Sequence, residues 1–452
     1  MTAINGSGCA GTHARAELYL EQGFHQMPLT GWHAAAIPGT PDACVTLNRE
    51  FGTRSLRDLL APAIECAEHG VIVSPSMKRE IDQSADKLRE FQSTSAFLPG
   101  GMPPKEGMRL PLTDLGHSIR KLAEEGSEPF HTGHIAKEIV KASEVAYGPF
   151  TSADFSGHQT EVYQPISTTY RGIEVFETAP PSQGLIVLEW LNLLEGDDLR
   201  AMGFESAATI HLLIETKKLA FADRVAHCGV TKSTPEVVDI LLSKDYAKSL
   251  SQLINMDRAM AQLPVPGETS HADTVYLTVV DEDQNAISFI NSIFHSFGSG
   301  LLDAQTGVLF NNRGASFVID PLHPNCIAPK KRPMHTIIPG MVKKNGRSIM
   351  PFGVMGGHYQ PVGHAHFVAN ILDYGMDVQE ALDAPRAFAF ADQLQVERGL
   401  KTKVLEGLHA LGHDVVEAGT ALGGGQAIQM NWETGVLTGG SDPRKDGCAL
   451  GY

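Results

Sequence analysis

The sequence lacks any apolar run of about 18 residues or more, so no stretch reads as a transmembrane helix. Its first residues, Met1-Thr2-Ala3-Ile4-Asn5-Gly6-Ser7-Gly8, have no apolar centre of the kind a secretory signal needs. It has no C-x-x-C pair. Cys9, Cys44, Cys66, Cys228, Cys326 and Cys448 are scattered singly through 452 residues, which argues against a zinc knuckle or redox motif and fits reduced, cytoplasmic thiols. Positive charge is in deficit: 36 Lys and Arg against 52 Asp and Glu give a net charge of −16. Nucleic acid and anionic membranes both require a basic face and are excluded as partners. A small local cationic pocket is still compatible with this balance. There is no G-x-S-x-G elbow and no H-E-x-x-H, and Gly423-Gly424-Gly425 lacks the strand-to-helix setting of a dinucleotide loop. The 19 histidines form no convincing ligand cluster, so neither a metal nor a cofactor is expected. No internal repeat or low-complexity tract is evident.

What remains is an ordinary globular composition, 42% hydrophobic and 19% charged, long enough for one large mixed core. One stretch organises it. After His271-Ala272-Asp273, Thr274 begins an alternating run in which Val275, Leu277 and Val279 share one parity and Thr274, Tyr276 and Thr278 the other. Asp281-Glu282-Asp283-Gln284-Asn285 is a turn and Ala286–Asn291 the returning strand, so Thr274 opens a β-hairpin. Upstream, residues 253–269 contain Pro264 and Pro266 and little periodicity, and read as a surface linker. Leu56, Leu59, Leu60, Ile64 and Ala67 give an amphipathic helix ending near Gly70. Residues 75–145 read as further helices around a Pro/Gly loop at 98–104. Residues 163–166 and 171–176 read as two short strands.

The run Thr274-Val275-Tyr276-Leu277-Thr278-Val279-Val280-Asp281 resembles the self-cleavage motif of the γ-glutamyltranspeptidase family, usually Thr-Thr-His-x-Ser-Val-Val-Asp, which belongs to the N-terminal-nucleophile hydrolases. Further matches run along nearly the whole chain. They are Val-Pro-Gly-x-x-Asp at 37–42, Pro-Pro-x-Ser-x-Gly at Ala179–Gly184, the helix His211–Arg224 with its Ala-Phe-Ala-Asp-Arg end, and Asn-Asn at 311–312. Others are Lys-Arg-Pro at 331–333, Gly-x-x-Gly-Gly at 353–357, Ala-Pro-Arg at 384–386 and the tail signatures at 423–428 and 442–447. Asp223 and Arg224 read as structural ion-pair partners. The strand-to-loop segment at Ile4–Gly8 is one that family members reach only after some tens of residues, so the N-terminus is expected to be shortened.

The resemblance implies an α+β fold, the four-layer αββα sandwich of the N-terminal-nucleophile hydrolases. It implies cleavage between Asp273 and Thr274 into a large subunit, 1–273, and a small one, 274–452, which stay associated. Thr274 would then be both nucleophile and, through its freed α-amine, base. An α-amine with a pKa of about 7.7–8.0 can accept a proton near working pH without help from a histidine. Ser292 stands where a family threonine bonds the nucleophile. Gly356-Gly357 could aim two N–H groups at an oxyanion, although a tight turn alone also needs glycine.

The departures bear on substrate. Ser7 replaces the arginine that binds the glutamyl carboxylate. Phe294, Arg313 and Ser316 replace the asparagine, glutamine and aspartate that hold the glutamyl ammonium. His335 and Thr336 replace paired serines. Arg313 would repel an ammonium and attract a carboxylate, with His335, His295 and His358 as further candidates for the binding site. Taken singly, each of these also fits a surface ion pair or a core hydrogen bond. The expected function is a self-processing amidohydrolase acting on a small anionic amide, oxamate above all. The alternatives are a γ-glutamyltranspeptidase or glutathione hydrolase, a glutaryl-cephalosporin-type acylase, or an unprocessed binding protein. Homo-oligomers are possible.

Overall fold

The computed structural model describes residues 1–229, 233–261, 273–390 and 392–451. His271, Ala272 and residues 262–269 of the expected linker lie outside the described residues. The chain forms two compact units, Met1–Gln164 with Ile293–His335, and Pro165–Ser292 with Thr336–Tyr452. Among the described residues no helix is long and apolar enough to cross a membrane.

The first unit is mainly helical. The helix read from Leu56, Leu59, Leu60, Ile64 and Ala67 spans Leu56–His69; the Ser55 side chain accepts from the Asp58 N–H at its start. Gly70, at φ 91°, ends it in a backbone conformation that a side chain would disfavour. It packs along Thr113–Glu125, burying Ile64, Ala67 and Leu122. Pro75–Gln83, Ala85–Glu90 and His134–Val145 supply the other helices expected between 75 and 145. The principal core gathers Ile37, Phe130, Ile139, Phe150, Phe155 and Phe310. Ala3–Asn5 is a strand, as read, and pairs antiparallel with Glu161–Tyr163.

The two strands read at 163–166 and 171–176 are differently bounded. Pro165 has no N–H to give a ladder, so the first strand stops at Tyr163. Ile166–Tyr170 and Ile173–Glu177 form a hairpin in the second unit, turning at Arg171 and Gly172, both with positive φ.

That hairpin is one edge of a six-stranded sheet, in the order Leu437–Ser441, Gly424–Met430, Arg347–Met355, Gly340–Lys344, Ile173–Glu177, Ile166–Tyr170. Every neighbouring pair is antiparallel. The strands come from both sides of the Asp273–Thr274 bond, so the sheet would hold two subunits together after cleavage there. The helix Gly184–Leu194 is buried along its whole length, as expected of one that is apolar all round. It packs with Ala207–His227 and Gln360–Leu372.

The second layer of strands is the expected hairpin, Asp273–Val280 with Ala286–Phe294. It lies against Arg347–Met355. Tyr276 sits over Gly353, where an added Cβ would fall 2.3 Å from the tyrosine ring. The Tyr276 hydroxyl is 2.7 Å from Ser288 Oγ, and Ser288 donates to the Phe352 carbonyl at 3.1 Å. The inward face is therefore the Thr274, Tyr276, Thr278 parity, while Val275 is 63% exposed among the described residues.

Candidate active site

Thr274 is the second residue of its strand and is half-buried. Its Oγ1 lies 3.2 Å from Ser292 Oγ, across the hairpin. The two hydroxyls, 18 positions apart in sequence, are joined because the turn at 281–285 returns the chain in register. Thr274 Oγ1 donates this bond, which occupies its one proton and leaves the oxygen its lone pairs.

Two residues on, Tyr276 rests on Gly353, three residues before the Gly356-Gly357 turn. This turn joins the strand Arg347–Met355 to the helix Gln360–Leu372. Gly356 has φ 125° and Gly357 φ 59°, and a Cβ on Gly356 would fall 2.9 Å from the Gly423 Cα. Glycine is required here by both conformation and close approach. The carbonyls of the turn are engaged: Gly356 accepts from the Tyr359 N–H at 3.0 Å, and Gly357 accepts from Gln183 Nε2 at 3.1 Å. Among the described residues the Gly356 and Gly357 N–H groups have no acceptor. Two adjacent donors left open at a strand-to-helix turn suit an incoming oxyanion.

Behind the turn is a network that the sequence did not disclose. Gln183, buried beside the cis Pro180–Pro181 bond, also donates to the Thr336 carbonyl at 3.3 Å. Its Oε1 accepts from Arg224 Nη1 at 3.0 Å. The same Arg224 nitrogen lies 2.9 Å from His358 Nδ1. A guanidinium cannot accept, so His358 Nδ1 is the acceptor and the ring's proton is on Nε2. Arg224 also stacks over Phe221, 4.2 Å from the ring centre. Arg224 and its sequence neighbour diverge. Asp223 accepts from the Tyr246 hydroxyl at 2.7 Å and lies 3.8 Å from His227. The signal for Gln183 was its place inside Pro-Pro-x-Ser-x-Gly; for Arg224 it was the end of the Ala-Phe-Ala-Asp-Arg helix.

The first unit holds Arg313, His295, His335 and Ser7. Arg313 is 5% exposed and stacks over Phe294, 4.6 Å from the ring centre. Burial pulls its pKa down to about 9, so an anion beside it would be strongly attracted. His295 stacks on Phe294 at 4.3 Å, and its Nδ1 accepts from Asn312 at 2.9 Å. Phe294, at φ 79°, thus packs against both the cation and the imidazole. Asn311 and Asn312 fasten this segment by bonds to Ala36 and Leu29. His335 is buried. The Ser7 amide donates to Asn5 Oδ1 at 2.9 Å, and its carbonyl accepts from Arg332 Nε at 2.6 Å. Within the second unit, Thr274, Ser292, Gly356, Gly357, His358 and Thr336 occur together with the Gln183 network.

One group of potential metal ligands is close-set among the described residues: His211, Glu215 and His413 have ligand atoms within 4.8 Å of one another. Their chemistry does not favour an ion. His211 Nδ1 and His413 Nε2 bond each other at 2.8 Å, Lys218 donates to Glu215 at 2.6 Å, and the Met260 N–H takes the other Glu215 oxygen at 2.8 Å. The Lys218 ammonium already balances the carboxylate, so the cluster ties the Ala207–His227 helix to the chain at 255–260.

The chain is similar to known proteins along its whole length. The sequence model of the family described as Gamma-glutamyltranspeptidase matches residues 1–452. A glutathione hydrolase-like YwrD proenzyme of Bacillus subtilis is 35% identical, over 99% of this chain and 86% of its own length. The oxamate amidohydrolase proenzyme of Klebsiella pneumoniae is 33% identical, over 100% of this chain and 87% of its own. The crystal structure of a cephalosporin acylase from Bacillus halodurans superposes with a TM-score of 0.93 at 35% identity, covering 100% of this chain and 85% of that one.

Proposed function

Because the chain belongs to the γ-glutamyltranspeptidase family of N-terminal-nucleophile hydrolases, we propose that it is an amidohydrolase that cleaves itself between Asp273 and Thr274 and then hydrolyses a small anionic amide. Thr274 Oγ1 attacks the amide carbonyl, and its freed α-amine takes the hydroxyl proton and passes it to the departing amine or ammonia. The acyl-threonine is released by water, activated by the same amine. The Gly356 and Gly357 N–H groups receive the developing oxyanion. Ser292 orients the Thr274 hydroxyl. The observation that carries this reading is the 3.2 Å bond between Thr274 Oγ1 and Ser292 Oγ at the opening of the hairpin.

For the substrate we favour oxamate, giving oxalate and ammonia. Arg313 stands where γ-glutamyl enzymes carry an uncharged glutamine, and its buried guanidinium favours a carboxylate over an ammonium. His335, Thr336, His295, His358 and Ser7 are assigned to the same binding role. An acylase acting on glutaryl amides is the second reading, favoured by the superposition on the cephalosporin acylase. The six cysteines are all unpaired, which supports a reducing, cytoplasmic setting. Steady-state assay of the purified protein on oxamate, γ-glutamyl-p-nitroanilide and a glutaryl amide tests the choice. Turnover of oxamate with the highest kcat/KM supports it, and preference for the γ-glutamyl compound overturns it.

A further inference from the structure

We infer that Gln183 and Arg224 are the positioning residues of the oxyanion turn: they hold the Gly357 carbonyl and the His358 ring, which anchors the turn on the C-terminal side of the Gly356 and Gly357 N–H groups. The inference rests on the assignment of that turn to oxyanion binding.

A peptide plane is rigid and joins the carbonyl of one residue to the N–H of the next. The Gly356 carbonyl, bonded by the Tyr359 N–H at 3.0 Å, fixes the plane that carries the Gly357 N–H, and the Gly357 carbonyl belongs to the plane that follows, so holding both carbonyls pins Gly357 from its two sides. Gly356 and Gly357 are the two residues here least able to resist rotation, because both occupy positive φ without a side chain. An oxyanion turn built from glycine therefore needs outside restraint if its donors are to be in place before charge develops. The Gln183 amide supplies it. Its Nε2 bonds two carbonyls, Gly357 at 3.1 Å and Thr336 at 3.3 Å, and both are in the second unit. An amide could rotate by half a turn and present its oxygen instead. Arg224 Nη1 prevents this by donating to Gln183 Oε1 at 3.0 Å, since a flipped amide would set N–H against N–H. The guanidinium is itself fixed over Phe221. It faces His358 Nδ1 at 2.9 Å, one residue beyond the turn, and so also sets the tautomer of that ring. All three side chains are at most 2% exposed, so water does not compete for these bonds. Arg224 reaches the turn from a helix 134 positions earlier in sequence than its histidine.

The test is a kcat-against-KM split on the full-length protein. Gln183→Glu keeps size and the acceptor for Arg224 but removes the donor to Gly357. Gln183→Met removes both. Arg224→Met frees the amide to flip, and Arg224→Lys returns one charged donor. Assayed on oxamate, with γ-glutamyl-p-nitroanilide as a second arm, both Gln183 variants are expected to lose about tenfold or more in kcat while KM stays within about twofold. Arg224→Lys should recover part of what Arg224→Met loses, and the Gln183→Met, Arg224→Met double variant should be no worse than the weaker single, because the two act through one chain of bonds. Should Arg224→Met fail to fold, the Gln183 pair decides alone. Folded Gln183 variants with wild-type kcat overturn the inference. So does a fall in kcat that tracks a falling melting temperature. Thr274→Ala, run alongside, separates the two levels: if it still hydrolyses, the site assignment itself is wrong; if it is inert while the Gln183 variants are fully active, only the positioning role falls.

Discussion

Thr274 Oγ1 and Ser292 Oγ are 3.2 Å apart, and this bond joins the residue assigned as nucleophile to a second hydroxyl. It makes Ser292 an orienting group rather than a base, since a serine hydroxyl holds its proton at any working pH. Ser292→Ala should slow self-cleavage and hydrolysis by about tenfold each, in keeping with the loss of one neutral hydrogen bond of about 1–1.5 kcal/mol. Time courses on gels and initial rates read both; unchanged rates would make the bond incidental.

Arg313 stacks on Phe294 inside the first unit with its charge disfavoured by burial. Arg313→Gln should lower kcat/KM on oxamate about ten- to a hundredfold, the equivalent of about 1.5–3 kcal/mol for a charge-assisted bond. Self-cleavage should proceed as in the wild type, because it precedes any substrate. A kcat/KM within about twofold of wild type would make Arg313 structural and pass the role to His335.

Arg386 and Asp442, from the Ala-Pro-Arg and Asp-Pro-Arg signatures, form a buried ion pair. Asp442 also accepts from the Gly425 N–H at 3.0 Å and from Arg444 at 3.1 Å. Asp442→Asn takes away the carboxylate that Arg386 pairs with, while Arg444 keeps its bonds to Glu397, and should destabilise the protein by about 3–5 kcal/mol. Urea unfolding checks this; a change below about 1 kcal/mol would show that the pair is dispensable.

Glu189 is buried in the Gly184–Leu194 helix, and burial first, then the charge of Asp223, raises its pKa well above the ordinary carboxyl value. Its folded pKa exceeds its unfolded one, so folding takes up a proton. The stabilisation is complete below about pH 4.3 and is lost as pH rises toward the folded pKa, by up to about 1.4 kcal/mol per unit. Glu189→Gln should flatten the decline in stability above pH 5. Parallel pH profiles of the urea midpoint for the two proteins would contradict this.

Local patterns were legible where one segment contains its own signal. The helix Leu56–His69 had its periodicity, cap and terminal glycine in sixteen consecutive residues, and the hairpin had alternation on both sides of an Asp/Asn turn. The inward face of that hairpin was not legible. Tyr276 turns inward because Gly353, far along the chain, leaves room for its ring, while the more apolar Val275 and Val279 face outward. Thr274, Ser292 and Gly356-Gly357 stood out in the sequence as candidate positions, but the bonds around the Gly356-Gly357 turn were not legible there. Gln183 meets Arg224 across 41 positions, and Arg224 meets His358 across 134. No spacing rule joins residues on a loop, a helix and a turn. The sequence read Arg224 as a structural ion-pair partner; in the structure its Nη1 bonds Gln183 Oε1 and His358 Nδ1.

The central claim is that Thr274 becomes an N-terminal nucleophile by cutting the chain before itself. Intact-mass measurement of the purified wild type and of Thr274→Ala tests it most directly. The account predicts two fragments for the wild type, the second beginning at Thr274, and one uncut chain for Thr274→Ala. A wild type that stays whole, or an alanine variant that is cut at the same bond, would contradict it.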